Sequence, residues 1–179
     1  MKPEIFKIPA FDRKTGNLNA IIETPCGSRY KFACEKKNGL FLLKKILPSG
    51  MSFPFDFGFV PSTRAADGDP LDVLIVTEEK LFPGCLVQAR VLGAMKCKQG
   101  KKGKLERNDR LIAVPVLENV PVKIRSLKEL DDKMLWELEK FFIFQHTLEG
   151  EQFKVLEIIG PNKARNLVKR AQSLDAKKK

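Results

Sequence analysis

In the stretch Arg64 to Val76, RAADGDPLDVLIV, three carboxylates, Asp67, Asp69 and Asp72, fall within six residues and run straight into an apolar, β-branched segment. Side chains alternate along an extended chain, so Asp67 and Asp69 can point to one side. Gly68 permits the sharp turn between them, and Pro70 fixes the backbone that brings Asp72 to the head of the strand. Like charges held this close repel strongly at low effective dielectric unless protons or cations compensate. An oxygen-only set without histidine or cysteine suits Mg²⁺, with Mn²⁺ as a second choice, better than zinc. The tripeptide DGD alone also fits an ordinary acidic surface turn. The run into VLIV favours a site, because a rigid strand anchors its ligands.

The elements that must position these carboxylates are short. Proline and glycine punctuate the first two thirds of the chain, and between them lie the runs NAIIE, RYKFAC, LFLLKKIL, FDFGFV, LDVLIVT, CLVQARVLGAM and RLIAVPV. That spacing predicts a compact β-barrel or sandwich. The last third changes period. SLKELDDKMLWELEKFFIF starts with a capping-box pattern, Ser126 with Glu129, and its stripe Leu127, Leu130, Met134, Leu138, Phe141 and Phe142 predicts a long helix lying on the barrel. After the short run FKVLEII, Pro161 opens a second helix whose expected inner face is Ala164, Leu167, Val168, Ala171 and Leu174. The fold class expected is α+β, mainly β, with about two flanking helices in a single domain over residues 1–179.

Composition narrows the partners. Lys and Arg number 33 against 22 Asp and Glu, a formal net charge of +11, which favours anionic partners. Part of the excess is peripheral: KCKQGKKGK, Lys96 to Lys104, reads as a basic glycine-containing loop, and residues 176–179 as a basic tail. No helix-turn-helix, zinc-finger or RNP-type pattern accompanies the charge, so no nucleic-acid partner is expected. Cys26, Cys34, Cys85 and Cys97 form no C-x-x-C pair and no apolar run reaches 18 residues, so the expectation is a cytoplasmic protein with reduced cysteines and no membrane partner.

The wider stretch DGDPLDVL resembles the acidic D-x-D-P-x-D-V motif of the soluble family I inorganic pyrophosphatases. The likeness extends to IIETP, FPFDFGFVPST, PGCLVQARVLGAM, RLIAVPV and the helical region with FF, roughly Ala20 to Ala171. The resemblance implies a five-stranded, OB-like closed barrel with flanking helices, a homo-oligomer, and Mg²⁺-dependent hydrolysis of pyrophosphate to two phosphates. It assigns Asp67 and Asp72 to the central metals, Asp69 to orienting and deprotonating the attacking water, and Glu23 to an outer metal on the far wall. It assigns Lys31 and Arg110 to substrate phosphate and catalysis, and Lys45, where many members have arginine, to substrate phosphate.

Departures accompany the likeness. Phe53, Phe57 and Phe59 stand where many members have tyrosine, which keeps packing and removes a hydroxyl. In KLERNDR, counting back from AVP puts Asn108 at an inner metal ligand and Arg110 at a phosphate lysine, with Asp109 one place out of step. Either Asp109, with Glu106, supplies the charge through a local shift, or one metal site is weakened. Gln145 and His146 replace a Tyr-Lys pair, and His146 can contact phosphate while bearing less charge than lysine. The alternative function is a catalytically weakened member of the same fold that acts as an anion- or partner-binding module.

Overall fold

The computed structural model describes residues 3–118, 120 and 123–176. The expected tail residues Lys177 to Lys179 lie outside the described residues. In chain order the elements are β1 (Leu18–Thr24), β2 (Tyr30–Cys34), β3 (Phe41–Ile46), β4 (Asp56–Val60), β5 (Leu71–Ile75), β6 (Leu86–Gly100), β7 (Glu106–Arg107), β8 (Arg110–Pro115), α1 (Asp132–Leu148), β9 (Gln152–Ile159) and α2 (Pro161–Ala176). The molecule is mainly β with two α-helices, as expected. None of the described helices is long and apolar enough to cross a membrane.

Strand pairing returns on itself. β1 pairs with β4 and β4 with β5, both antiparallel; β5 pairs with β8 in parallel; β8 pairs with β6, and β6 with β1, again antiparallel. This closes a five-stranded ring, the OB-like barrel that the resemblance implies. The period of two in each strand sorts the side chains into two layers. Leu18, Ala20, Ile22, Val73, Ile75, Leu111 and Ala113 form one cluster, covered by Ala164, Val168 and Ala171 of α2. Leu74, Leu92, Met95, Ile112 and Val114 form the other, against Leu138 and Phe142 of α1. β2 and β3 make a separate hairpin tied to β1, where the Thr24 hydroxyl accepts from the Phe32 N–H at 3.0 Å.

Three local expectations are corrected. Lys96 to Gly100 is not loop. β6 runs on to Gly100, pairing with β7 and β9, because Met95 and Cys97 are buried on its inner face and anchor the run between the basic residues. The first helix starts at Asp132 rather than Ser126. The Ser126 hydroxyl does donate to Glu129 Oε1 at 3.0 Å, but around a separate turn of 3₁₀ helix, after which Leu130 is extended and Asp131 caps α1 by accepting from the Lys133 N–H. Leu127 and Leu130 are buried all the same. On α2, Pro161 opens the helix and Ala164, Val168 and Ala171 are buried, whereas Leu174 is half exposed.

Candidate active site

The loop between β4 and β5 is built to hold its carboxylates. The Thr63 hydroxyl donates to the Val60 carbonyl and accepts from the Leu71 N–H at 3.0 Å, pinning the two ends of the loop together. The Ala65 N–H donates to the Asp69 carbonyl at 2.7 Å, and Gly68, at φ +88°, makes the left-handed turn that an L side chain rarely adopts. Asp67 Oδ1 accepts from the Asp69 N–H at 3.0 Å, and Asp67 Oδ2 from Asn108 Nδ2 at 3.1 Å. Asp69 is paired with Lys36, whose ammonium also reaches the Gly68 carbonyl.

Asp72 stands on β5 between two register partners, Phe59 on β4 and Arg110 on β8. Arg110 points to the layer under α1, whereas Phe59 packs against Phe6 and Ile21. Arg110 Nε lies 3.7 Å from Asp72 Oδ2, and the guanidinium sits over the rings of Phe142 and Phe153 at 4.1 and 4.7 Å. Arg110 Nη2 donates to Gln99 Oε1 at 2.7 Å, and His146 Nε2 meets the same oxygen at 3.1 Å. His146 Nδ1 lies 2.8 Å from the Phe142 carbonyl.

These residues line one cleft of about 620 Å³. Glu23, Asp67, Asp69 and Asp72 share it with Lys31, Lys45, Arg110 and His146, so eight of the nine residues singled out from the sequence meet there. Lys31 and Lys45 arrive side by side, as register partners of the β2–β3 hairpin. Lys45 is paired with Glu149 at 2.5 Å, and the Lys31 ammonium lies 5.5 Å from the Phe57 ring centre. Phe53, Phe57 and Phe59 are buried and line the cleft as an aromatic wall without hydroxyls.

Asp109 is the exception. Its carboxylate accepts from the Cys97 N–H at 3.0 Å and pairs with Arg107, outside the residues that line the cleft. The reason is alternation: Asn108 and Arg110 face the cleft, so the residue between them faces away. Asn108 is therefore the neighbour of Asp67. Glu106 lines an adjoining cavity of about 290 Å³ together with Asp67 and Asn108.

Burial sets the electrostatics. It pushes Glu23 up to about 7 and Asp72 up to about 6; the Cys34 N–H opposes the shift at Glu23, Arg110 and Lys31 oppose it at Asp72, and neighbouring carboxylates add to both. Burial also raises Asp67. Lys31 and His146 are lowered, again by burial first. The cleft thus keeps carboxylates where the charged form is poorly solvated, an arrangement that a bound cation relieves. Among the described residues no three His, Cys, Asp or Glu side chains already close on one point.

The family comparison agrees with this arrangement. The profile described as inorganic pyrophosphatase matches residues 20–174. The chain belongs to the inorganic pyrophosphatase family. It is 34% identical over 157 residues to the inorganic pyrophosphatase of Synechocystis sp., covering 88% of each chain. It is 38% identical over 138 residues to that of Halalkalibacterium halodurans, covering 77% of this chain and 82% of the other. The solved inorganic pyrophosphatase of Thermus thermophilus superposes with a TM-score of 0.87 at 27% identity, covering 97% of this chain and 99% of that one.

Gln99, Lys36, Glu149 and Glu151 are among the cleft residues of this family member that carry no sequence motif. Gln99 lay in a stretch read as loop. Lys36 and Glu149 carried no motif, and Glu151 follows a glycine at a helix end; all four line the cleft. The signal for Gln99 was the alternation Met95, Cys97, Gln99, which places it on the face of Arg110 once the strand is extended.

Proposed function

We propose that this chain hydrolyses inorganic pyrophosphate to two phosphates with the help of divalent cations, Mg²⁺ first and Mn²⁺ second. The observation that carries this reading is the meeting, in one cleft, of an oxygen-only wall of Glu23, Asp67, Asp69 and Asp72 with the cations Lys31, Lys45 and Arg110. Asp67, Asp72 and Glu23 would hold metal, and their buried, poorly solvated carboxyls fit hard cations. Bound there, the metal supplies a lowered water pKa and neutralises phosphoryl oxygens. Asp69, on the pinned loop between β4 and β5, takes the proton from the attacking water. Lys31, Lys45 and Arg110 bind the phosphates and hold them for in-line attack, while the aromatic wall excludes bulk water.

His146 lines the same cleft beside Gln99 and Arg110 and binds substrate phosphate from the end of α1. The retained carboxylates weigh against a purely binding module, since anionic groups in an anion cleft are unfavourable without metal. Four unpaired cysteines support a reducing, cytoplasmic setting, and the exposed Trp136, Phe144 and Leu148 on α1 support a homo-oligomer.

Phosphate release from pyrophosphate, followed across a Mg²⁺ titration, tests the reading. Activity that requires Mg²⁺ and disappears in Asp72→Asn supports it. Folded protein that releases no phosphate at any Mg²⁺ concentration sinks it.

A further inference from the structure

Arg110 is held almost entirely inside the protein, at 4% exposure, yet two of its donors go unused. Among the described residues Nε and Nη1 have no hydrogen-bond partner, while Nη2 is satisfied by Gln99 Oε1. A buried guanidinium with unpaired donors is costly, and an anionic ligand that accepts from them offsets that cost. The rings of Phe142 and Phe153 hold its plane, and Asp72, the one carboxylate beside it, stays 3.7 Å from Nε, beyond hydrogen-bond reach.

The residue that keeps this geometry is Gln99. Its side-chain oxygen has two lone pairs, and the two groups that meet it are Arg110 Nη2 and His146 Nε2. Arginine only donates, so the oxygen, not the amide nitrogen, must face it. The Phe142 carbonyl and the Gln99 oxygen both only accept, so a neutral His146 donates to one of the two at a time. His146 in turn is fixed to α1 through the Phe142 carbonyl. Gln99 therefore joins the far end of β6 to α1 and to the first residue of β8 at one atom.

We propose that Gln99 is a positioning residue for phosphate capture: it anchors Nη2 of the Arg110 guanidinium so that Nε and Nη1, whose hydrogens point to opposite sides, remain separate free donors for phosphoryl oxygens. This rests on the phosphate-handling reading of the cleft. Without the acceptor, Nη2 would become a third unpartnered buried donor. The guanidinium would turn to Asp72 and close the gap to a direct pair, which removes the phosphate donors and occupies a carboxylate needed for metal.

The test uses the full chain and inorganic phosphate as the probe, with binding measured by calorimetry at fixed Mg²⁺. Gln99→Met, similar in size but without an acceptor, is expected to weaken phosphate about tenfold, and to raise KM for pyrophosphate by more than it lowers kcat. It should also raise the Mg²⁺ concentration needed for half activity. Because Gln99 acts through Arg110, the double variant Gln99→Met with Arg110→Lys should bind phosphate no more weakly than Arg110→Lys alone. Melting curves establish that the variants are folded, and Gln99→Asn, which withdraws the oxygen by one methylene, replaces Gln99→Met if that variant does not fold. Wild-type phosphate affinity in the single variant, or additive losses in the double, would overturn the proposal, as would a wild-type protein that binds no phosphate. Phosphate binding of the expected pattern without turnover would sustain the positioning role and remove the hydrolytic reading.

Discussion

One residue of offset separates Asn108, which touches Asp67, from Asp109, which pairs with Arg107 on the other side of the strand. Asp109→Asn is therefore expected to leave the Mg²⁺ requirement unchanged and to cost about 1 to 2 kcal/mol of stability, read by urea denaturation, because it removes a charged partner of Arg107. Asn108→Asp adds a carboxylate beside Asp67 and should lower the Mg²⁺ concentration for half activity in the same assay. A second expectation follows from Glu23 at about 7 and Asp72 at about 6, both above their ordinary 4.5 and 3.8. A folded state that holds protons more tightly than the unfolded one loses stability as pH rises through this window. Metal-free protein should thus lose melting temperature from these groups between about pH 4 and 7, and Mg²⁺ should restore most above pH 7. Glu23→Gln should flatten the metal-free decline; identical slopes for the two proteins in thermal melts from pH 5 to 8 would refute it. The aspartate triad was legible because turn and strand place it within one short segment. Asp109 was not, because which side it faces depends on where β8 begins, and counting residues does not give that.

At the scale of elements, close approach of backbones decides more than side-chain choice. A Cβ on Gly58 would lie 2.0 Å from the Ile21 carbonyl oxygen, where β4 crosses β1. Gly58→Ala should cost about 3 kcal/mol or more, or prevent folding, and chemical denaturation of the purified variant measures it. The strands and α2 were readable from period and punctuation, since Pro161 opens α2 and alternating apolar residues mark each strand. The path of β6 beyond Met95 was not. Lys96, Lys98 and the glycines suggest a loop, whereas pairing with β9, far along the chain, makes it strand. The start of α1 was misplaced for a related reason: the Ser126–Glu129 bond is local and real, but the extended Leu130 needs packing of both Leu127 and Leu130 to be understood. Lys45 on β3 and Glu149 at the end of α1 show the same dependence, and freeing Lys45 with Glu149→Gln should lower KM for pyrophosphate a few-fold in steady-state kinetics.

For the molecule as a whole, a formal charge of +11 draws an anionic substrate toward a cleft whose rim carries Lys36, Lys37 and Lys44. Raising ionic strength from about 0.01 to 0.15 M shortens the screening length from about 30 to 8 Å, so kcat/KM should fall with salt more steeply than kcat does. Stopped assays across a KCl series check this, and a salt-independent kcat/KM would mean that the charge acts only on solubility. The long strand β6 has a different consequence, in time rather than in binding. It pairs with Leu18–Ile21 near the start of the chain, with β8 in the middle and with β9 close to the end. The hairpin of β4 and β5 and the pairing of β6 with β8 join near neighbours, but closing the ring through β1 and β6 does not, and loop-closure entropy must be met before such distant pairings reward it. Refolding from denaturant should then take milliseconds to seconds rather than microseconds. Until the last of those pairings forms, β1 and β6 present open edges, so the same strand that completes the barrel makes the unfinished chain prone to join another copy of itself.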